Sequence, residues 1–265
     1  MIKHAIKNGI VIKECDALVP ITSREVQCNF SVYESLRVLK GHAVHLNDHI
    51  DRLVASASQI GLKFDVPDFS SWINALVSAD KAEDATMRIL VLGGEKSEIF
   101  ITWQPLLTYP DNYYNEGVAT ISYEGERYLP TCKTSNLLLS YLALNEAHRQ
   151  NAFEALLVDR RGKVLEGTRS NFYALFEGRL CTAPDEEVLS GVTRKCVMKA
   201  AKELGLEVVL EAPSIGELEY ADALFISATS MAAMPITTLN GQSIKCNIDL
   251  VLKIRDYVRS HELED

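Results

Sequence analysis

The chain has 265 residues, enough for one large or two modest domains with a buried core. Lysine and arginine together number 27 against 36 aspartates and glutamates, so the formal charge is −9. This acidic balance argues against nucleic acid or an anionic membrane as the main partner, and 47% hydrophobic with 24% charged residues is typical of a soluble globular protein.

Cysteine usage and the first residues predict a cytoplasmic protein. The six cysteines lie far apart without a C-x-x-C pair, which is typical of reduced thiols rather than of disulfides or a zinc site. Met1-Ile2-Lys3-His4 leads into no secretory signal, and no stretch reaches the ~18 apolar residues of a membrane span. No metal is predicted, because His45 and His49 have no evident third ligand.

The first hundred residues predict an alternation of strands and helices. Asn8-Gly9, between Ala5-Ile6-Lys7 and Ile10-Val11-Ile12, is typical of a hairpin turn. Asn47 is expected to cap the first long helix and Gly61 to end it, since apolar residues recur between them at helical spacing. The predicted strands are 5–7, 10–12, 30–38, 87–92 and 98–103, and the predicted helices are 47–60 and 69–79.

A segment without apolar periodicity divides the chain. Residues 105–117 are rich in Pro, Asp, Asn and Tyr, so we predict a domain of 1–106, a linker of 107–117 and a second domain of 118–265. In the second domain we predict helices at 137–149, 192–204 (capped by Ser190) and 248–258, and strands at 155–158, 171–176, 180–182 and 223–228. Strands and helices mix without a regular βαβ alternation, which predicts an α+β fold.

Lys133 and Glu166 are the first candidates for chemistry. Lys133 precedes an apolar helix and is expected at the edge of a packed core, where burial favours the neutral amine that attacks a carbonyl. Apolar residues flank Glu166 on both sides, so its carboxylate is expected to face inward. The alternatives are a solvated lysine and a surface ion pair of Glu166 with the basic stretch 160–163.

A third candidate is the start of the predicted helix 192–204. Gly191, Val192 and Thr193 would direct free amides and the positive end of the helix dipole outward, as phosphate binding requires. A plain Ser190 cap without a ligand is the alternative.

The order and spacing of these motifs resemble the class IV aminotransferases of fold type IV. This group contains branched-chain and D-amino-acid aminotransferases and aminodeoxychorismate lyase. The resemblance rests on Lys133 in Cys132-Lys133-Thr134-Ser135-Asn136, on E-G-x-x-x-N met by Glu166, Gly167 and Asn171, and on Ser190-Gly191-Val192-Thr193-Arg194. It runs from about residue 10 to about residue 236.

The resemblance implies a fold, a cofactor and an assembly. The fold would have a smaller N-terminal α/β domain and a larger C-terminal domain with a β-barrel-like core. Pyridoxal 5'-phosphate would lie in a cleft between them, and a homodimer would complete the active site. Lys133 would carry the cofactor and shuttle a proton, and Glu166 would keep the pyridine nitrogen protonated.

The resemblance also implies further binding residues. Val192, Thr193 and Arg52 correspond to phosphate ligands. Thr229 and Ser230, in a small-residue stretch expected to be a loop over 227–235, correspond to a loop that serves phosphate and substrate carboxylate.

Tyr33 and Arg88 correspond to substrate residues. A core strand tyrosine is the alternative for Tyr33. Arg88 falls where branched-chain aminotransferases have the arginine of a Y-x-R motif, but Thr86 replaces the tyrosine. Gly93-Gly94-Glu95 replaces the arginine and histidine with which bacterial D-amino-acid aminotransferases bind carboxylate.

We therefore expect an aminotransferase that moves an amino group between an amino acid and a 2-keto acid, of branched-chain or D-amino-acid type. The first alternative is a lyase of the aminodeoxychorismate type, which uses the same cofactor residues and releases pyruvate. The second is a cofactor-binding protein without turnover. Neither the amino donor nor its enantiomer follows from these residues.

Overall fold

The computed structural model describes residues 3–262, and these form two compact units. The first contains the residues up to Leu107, together with Cys132–Asn136 and Glu262. The second contains Thr108–Thr131 and Leu137–His261. Both combine helices with sheet, which confirms the predicted α+β class.

The first unit is built on one antiparallel sheet whose strand order is β2-β1-β6-β5-β3-β4. Its strands are β1 (His4–Lys7), β2 (Ile10–Lys13), β3 (Ser31–Leu39), β4 (His42–Ala43), β5 (Ala85–Leu92) and β6 (Glu98–Gln104). Its helices are α1 (Arg24–Gln27), α2 (Leu46–Gln59) and α3 (Phe69–Asp80). The predicted hairpin is confirmed, with Asn8 and Gly9 both at positive φ between β1 and β2.

Strand β3 separates a core face from a polar face. Because side chains alternate along a strand, Leu36 and Val38 pack into the core with α2 and α3, whereas Tyr33 and Arg37 lie on the opposite face. Glu34 falls on the core side despite its charge and is fully buried. The first unit therefore holds a carboxylate inside its core.

Helix α2 begins differently from the prediction. The structure places its N-cap at His45, which takes a left-handed conformation (φ 51°) and makes no side-chain cap hydrogen bond. The prediction of Asn47 as cap is therefore wrong, because the turn at His45 starts the helix at Leu46 and leaves Asn47 inside the first turn. The predicted stop is confirmed. Gly61 lies just past the C-cap of the helix and has a φ of 70°.

The second unit contains four helices and nine strands among the residues that the structure describes. The helices are α4 (Asp111–Asn115), α5 (Leu138–Arg149), α6 (Val192–Glu203) and α7 (Ile248–Ser260). The strands are β7 (Val118–Glu124), β8 (Glu154–Val158), β9 (Val164–Gly167), β10 (Asn171–Phe176), β11 (Arg179–Thr182), β12 (Glu207–Leu210), β13 (Ala223–Ala228), β14 (Ala232–Leu239) and β15 (Gln242–Ser243). Helix α4 lies within the predicted linker of 107–117.

Six strands of the second unit form a closed ring. Neighbours follow the order β10-β13-β14-β7-β8-β9, and a pairing of Glu166 with Asn171 joins β9 back to β10. Apolar side chains such as Leu156, Phe172 and Ile226 form the core. The ring confirms the expected barrel-like core, and Glu166 lies in the pair that closes it.

Two local predictions in the second unit are wrong. The stretch 227–235 is largely strand, because Ala228 and Ala232 pair across a short turn at 229–231 and the residues after the turn are buried. Ser190 does not cap α6. The N-cap is Gly191, in an extended conformation and without a side-chain cap hydrogen bond. No helix within residues 3–262 has the length and apolar character to cross a membrane.

Candidate active site

Backbone hydrogen bonds within the first unit fix the position of Lys133. Its carbonyl accepts from the Tyr33 amide at 3.0 Å, and its amide donates to Oγ of Ser56, on α2, at 3.1 Å. A bridge between Val32 and Thr134 continues the contact with β3. A strand and a helix thus hold the lysine backbone from two sides.

The side chains of Lys133, Tyr33 and Arg88 form one cluster. The Lys133 ammonium lies 4.8 Å from the centre of the Tyr33 ring, and the Arg88 guanidinium lies 3.8 Å from it. The electron-rich face of the ring attracts both cations. Burial lowers the pKa of Arg88. Three predicted site residues therefore lie together in the first unit.

Arg52 pairs with the buried Glu34. Nε and one terminal nitrogen of Arg52 each donate to a different oxygen of the Glu34 carboxylate at 2.7 Å, a bidentate pair. Nδ1 of His49 lies 2.7 Å from the second of these oxygens. The predicted phosphate arginine is thus held in a fixed orientation on α2.

The charges of this cluster follow from burial and pairing. Burial alone would raise the pKa of Glu34, but the hydrogen bonds and charge of Arg52, together with His49, outweigh it and lower the pKa to about 2. Burial lowers the pKa of His49 in spite of the opposing carboxylate. A neutral imidazole beside an Arg–Glu ion pair is the arrangement at neutral pH.

In the second unit, Glu166 is buried with 6% of its surface exposed. One oxygen accepts from Nε of Arg127 at 2.8 Å, and the other faces the Leu189 amide at 3.4 Å. Arg127 also donates to the Pro130 carbonyl. The predicted inward orientation of the acid is confirmed.

The alternative of a surface ion pair for Glu166 is wrong. Arg161 pairs with Asp159 and Glu187 instead. The other two cations of that stretch, Arg160 and Lys163, lie near Glu126 and Glu211.

The start of α6 is tightly packed around Gly191. A Cβ at this position would overlap Oδ1 of Asn171, whose Nδ2 donates to the Leu189 carbonyl at 2.8 Å. Val192 and Thr193 follow directly and are buried. The first amides of α6 therefore start from a glycine whose place is set by Asn171 of the E-G-x-x-x-N motif.

Three side chains hold the short turn 229–231. The Tyr109 hydroxyl lies 3.0 Å from Oγ of Ser230, and Arg259 donates to the Ser230 carbonyl at 2.8 Å. The Tyr114 hydroxyl donates to the Met231 carbonyl at 3.2 Å. Thr229 and Ser230 are thus on a constrained turn within the second unit.

Sequence reasoning missed several of these residues. Tyr109, Arg127 and Arg259 come from segments with no local signal. Glu34 could have been found, because a charge at a core position of the alternating strand 30–38 requires a buried partner.

The model of the family described as amino-transferase class IV matches residues 31–239. The chain belongs to this family. The matched span includes Lys133, Glu166 and the start of α6, so the predicted family and the predicted transaminase activity are confirmed.

Relatives of this class IV aminotransferase include D-alanine aminotransferases and a putative branched-chain-amino-acid aminotransferase. The D-alanine aminotransferase of Bacillus licheniformis is 32% identical over 251 residues, covering 89% of this chain and 88% of the relative. A putative branched-chain-amino-acid aminotransferase of Methanocaldococcus jannaschii is 31% identical over 258 residues, with coverage of 89% and 88%.

Solved structures share the fold. A branched-chain aminotransferase of Thermoproteus uzoniensis, determined with norvaline, superposes with a TM-score of 0.90 at 24% identity, over 100% of this chain and 97% of that one. The branched-chain amino acid aminotransferase of Escherichia coli gives 0.85 at 23% identity, over 97% and 92%. A PLP-bound hypothetical aminotransferase of Mycobacterium tuberculosis gives 0.84 at 21% identity, over 99% of each chain.

Proposed function

We propose that this transaminase works with pyridoxal 5'-phosphate, attached to Lys133 and supported by Glu166. The observation that carries the proposal is the family match over 31–239, which contains both residues. When bound, the cofactor supplies an aldehyde that takes up an amino group and a ring that accepts the electrons released at the substrate Cα.

The residues at the start of α6 suit such a group in two respects. The start of α6 has no side-chain cap, which leaves its first amides for a phosphate. Asn171 occupies the place of a Cβ on Gly191, so the backbone from which these amides start is held in position.

Each residue has a defined task in this proposal. Lys133 carries the cofactor and, once released by an incoming amino acid, moves a proton from the substrate Cα. Glu166, which accepts a hydrogen bond from Arg127, holds a proton on the pyridine nitrogen. We assign phosphate binding to Val192, Thr193 and Arg52, and a share in binding the phosphate or the substrate carboxylate to Thr229 and Ser230.

We propose D-amino acids as the first substrate class, with D-alanine as the representative donor and a 2-keto acid as acceptor. Support comes from the D-alanine aminotransferase named above, at 32% identity over most of both chains. Gly93-Gly94-Glu95 gives this chain no arginine or histidine there, so Tyr33 and Arg88 are proposed to bind the substrate instead.

The second candidate is a branched-chain L-amino acid. It is favoured by Arg88, which stacks on Tyr33 at the position of the Y-x-R arginine, and by the Methanocaldococcus jannaschii relative.

A donor screen tests both candidates. The purified enzyme is loaded with pyridoxal 5'-phosphate and given single D- or L-amino acids, and the absorbance change of the bound cofactor is followed through one half-reaction. Turnover with D-alanine and 2-oxoglutarate supports the first candidate, and turnover only with L-leucine or L-valine replaces it with the second. Release of pyruvate from aminodeoxychorismate without a keto acid acceptor would favour the lyase alternative.

We also propose that the enzyme is a cytoplasmic homodimer. Helix α5 exposes Leu138, Tyr141 and Leu142 at helical spacing, an apolar stripe that a second copy could cover. None of the six cysteines, all within residues 3–262, forms a disulfide, as is usual in a reducing compartment. Light scattering of the purified protein tests the dimer, and a monomeric mass would contradict it.

A further inference from the structure

Glu154 is a fully buried carboxylate to which the proposed mechanism gives no task. It is the first residue of β8 and has no exposed surface. A buried charge is strongly unfavourable unless donors compensate it. The hydrogen-bond donors around Glu154 therefore show which part of the fold this side chain holds in place.

All the donors around Glu154 but one come from the loop between β9 and β10. Oε1 accepts from the Thr168 hydroxyl at 2.5 Å and from the Thr168 amide at 3.2 Å. Oε2 accepts from the Ser170 hydroxyl at 3.2 Å, and Nε of Arg169 lies 3.8 Å from it. The remaining donor is the neighbouring Ala155 amide, at 3.0 Å from Oε1.

The loop held by Glu154 connects the two residues that close the barrel. Glu166 precedes Gly167 at the end of β9, Asn171 begins β10, and the two pair with each other. A Cβ on Gly167 would overlap Oγ of Ser170 and press on the Glu154 side chain. The path of the loop is therefore set by its contacts with this carboxylate.

We infer that Glu154 is a positioning residue for Glu166, acting through the loop 168–170. This inference rests on the proposed function of Glu166. Without the shared acceptor, Thr168 and Ser170 lose their anchor, and the Glu166 carboxylate moves relative to the group that it supports. A displacement of about 1 Å at a reacting centre lowers turnover by roughly 100-fold.

The inference depends on the acceptor and not on the negative charge. Glu154→Gln keeps an oxygen at the position of Oε1, so the two Thr168 bonds remain, and the Ser170 hydroxyl can rotate to accept from the new amide. Glu154→Ala removes every acceptor. Burial raises the pKa of Glu154, against the opposing effects of Thr168, Arg169 and the backbone amides, so a neutral isostere is well suited to this position.

The experiment compares Glu154→Gln, Glu154→Ala and Glu166→Gln in the cofactor-loaded enzyme. Glu207→Gln is the matched control, because Glu207 also begins a strand but is exposed. The measurements are kcat, KM for the amino donor, melting temperature, and the pH dependence of the absorption spectrum of the bound cofactor. The spectrum reports the protonation of the pyridine nitrogen independently of turnover.

We expect Glu154→Ala to lower kcat by about 100-fold with little change in KM, and to alter the spectrum in the same direction as Glu166→Gln. Glu154→Gln should stay within a few-fold of the wild type, and Glu207→Gln should equal it. A Glu154→Ala enzyme with lower melting temperature but wild-type kcat and spectrum would overturn the inference, since Glu154 would then only stabilise the fold.

A second variant covers the case in which Glu154→Ala does not fold. Thr168→Val removes the 2.5 Å bond but keeps the Thr168 amide, so kcat should fall by roughly 10-fold with the same change in spectrum. Wild-type values in this variant overturn the inference. If Glu166→Gln itself retains full turnover and spectrum, the proposed function of Glu166 fails, and this result is distinct from a failure at Glu154 alone.

Discussion

At the scale of single residues, the least replaceable side chain is Lys133. Its backbone is fixed by Tyr33 and Ser56, and its ammonium lies over the Tyr33 ring. We expect Lys133→Ala to lower kcat by at least about 1,000-fold, because both covalent attachment and proton transfer need this amine. Lys133→Arg keeps the charge without a comparable nucleophile and should be equally inactive. Wild-type turnover in either variant would refute the assignment.

Glu34 predicts a dependence of stability on pH. Its pKa is lowered from 4.5 to about 2, so the stabilisation is fully present above pH 4.5 and is lost as the pH falls towards 2. At about 1.4 kcal/mol per pH unit, the loss for the wild type is about 3 kcal/mol over this window. Urea unfolding at several pH values should show that the free energy of unfolding of Glu34→Gln decreases less with falling pH than that of the wild type. Equal slopes would show that the Arg52 pair does not hold the carboxylate ionised.

At the scale of elements, the backbone at the start of α6 is tightly constrained. A Cβ at Gly191 would overlap Asn171, so Gly191→Ala must displace either the helix start or the asparagine. We expect at least about 10-fold weaker binding of pyridoxal 5'-phosphate, measured by titration of the apoprotein, because amides at a helix start act only at close range. Gly216→Ala is the control, since nothing lies within 4 Å of its Cβ position. Equal affinity in both variants would contradict the phosphate assignment.

Elements could be predicted where periodicity or turn chemistry is strong. The hairpin at Asn8-Gly9, helix α3 and strand β13 follow the patterns of their residues. Helix starts were less predictable, because His45 and Gly191 are N-caps without a side-chain bond, and no residue type marks such a start. The sequence predicts a loop over the first residues of β14, because small residues lack the bulk by which strands are recognised, and only pairing with β13 makes them strand.

The candidate site, too, contains residues that the sequence predicts and residues that it does not. Motif residues such as Lys133 and Glu166 could be named because their types and spacing are specific. Their partners could not, because Arg127 contacts Glu166 and Glu154 contacts Thr168 only once the strands have paired. Contacts between residues far apart in sequence are decided by the closed barrel and leave no local pattern.

At the scale of the whole molecule, composition indicated a soluble acidic protein, and the motifs indicated the family to which the chain belongs. The segment Cys132–Asn136 belongs to the first unit although its neighbours in sequence belong to the second. Nothing in the composition of these five residues shows that the chain returns to the first unit here. Only the structure reveals that Lys133 lies against the sheet of that unit. The lysine and the acid of the motifs thus come from different units.

The central claim is that Lys133, among all lysines of the chain, carries the cofactor. Borohydride reduction of the enzyme loaded with pyridoxal 5'-phosphate fixes the cofactor to the lysine that holds it, and peptide mass spectrometry then locates the label. We predict one pyridoxyl group per chain, on the peptide that contains Lys133. A label on another lysine, or a fully loaded enzyme without covalent label, would contradict the account.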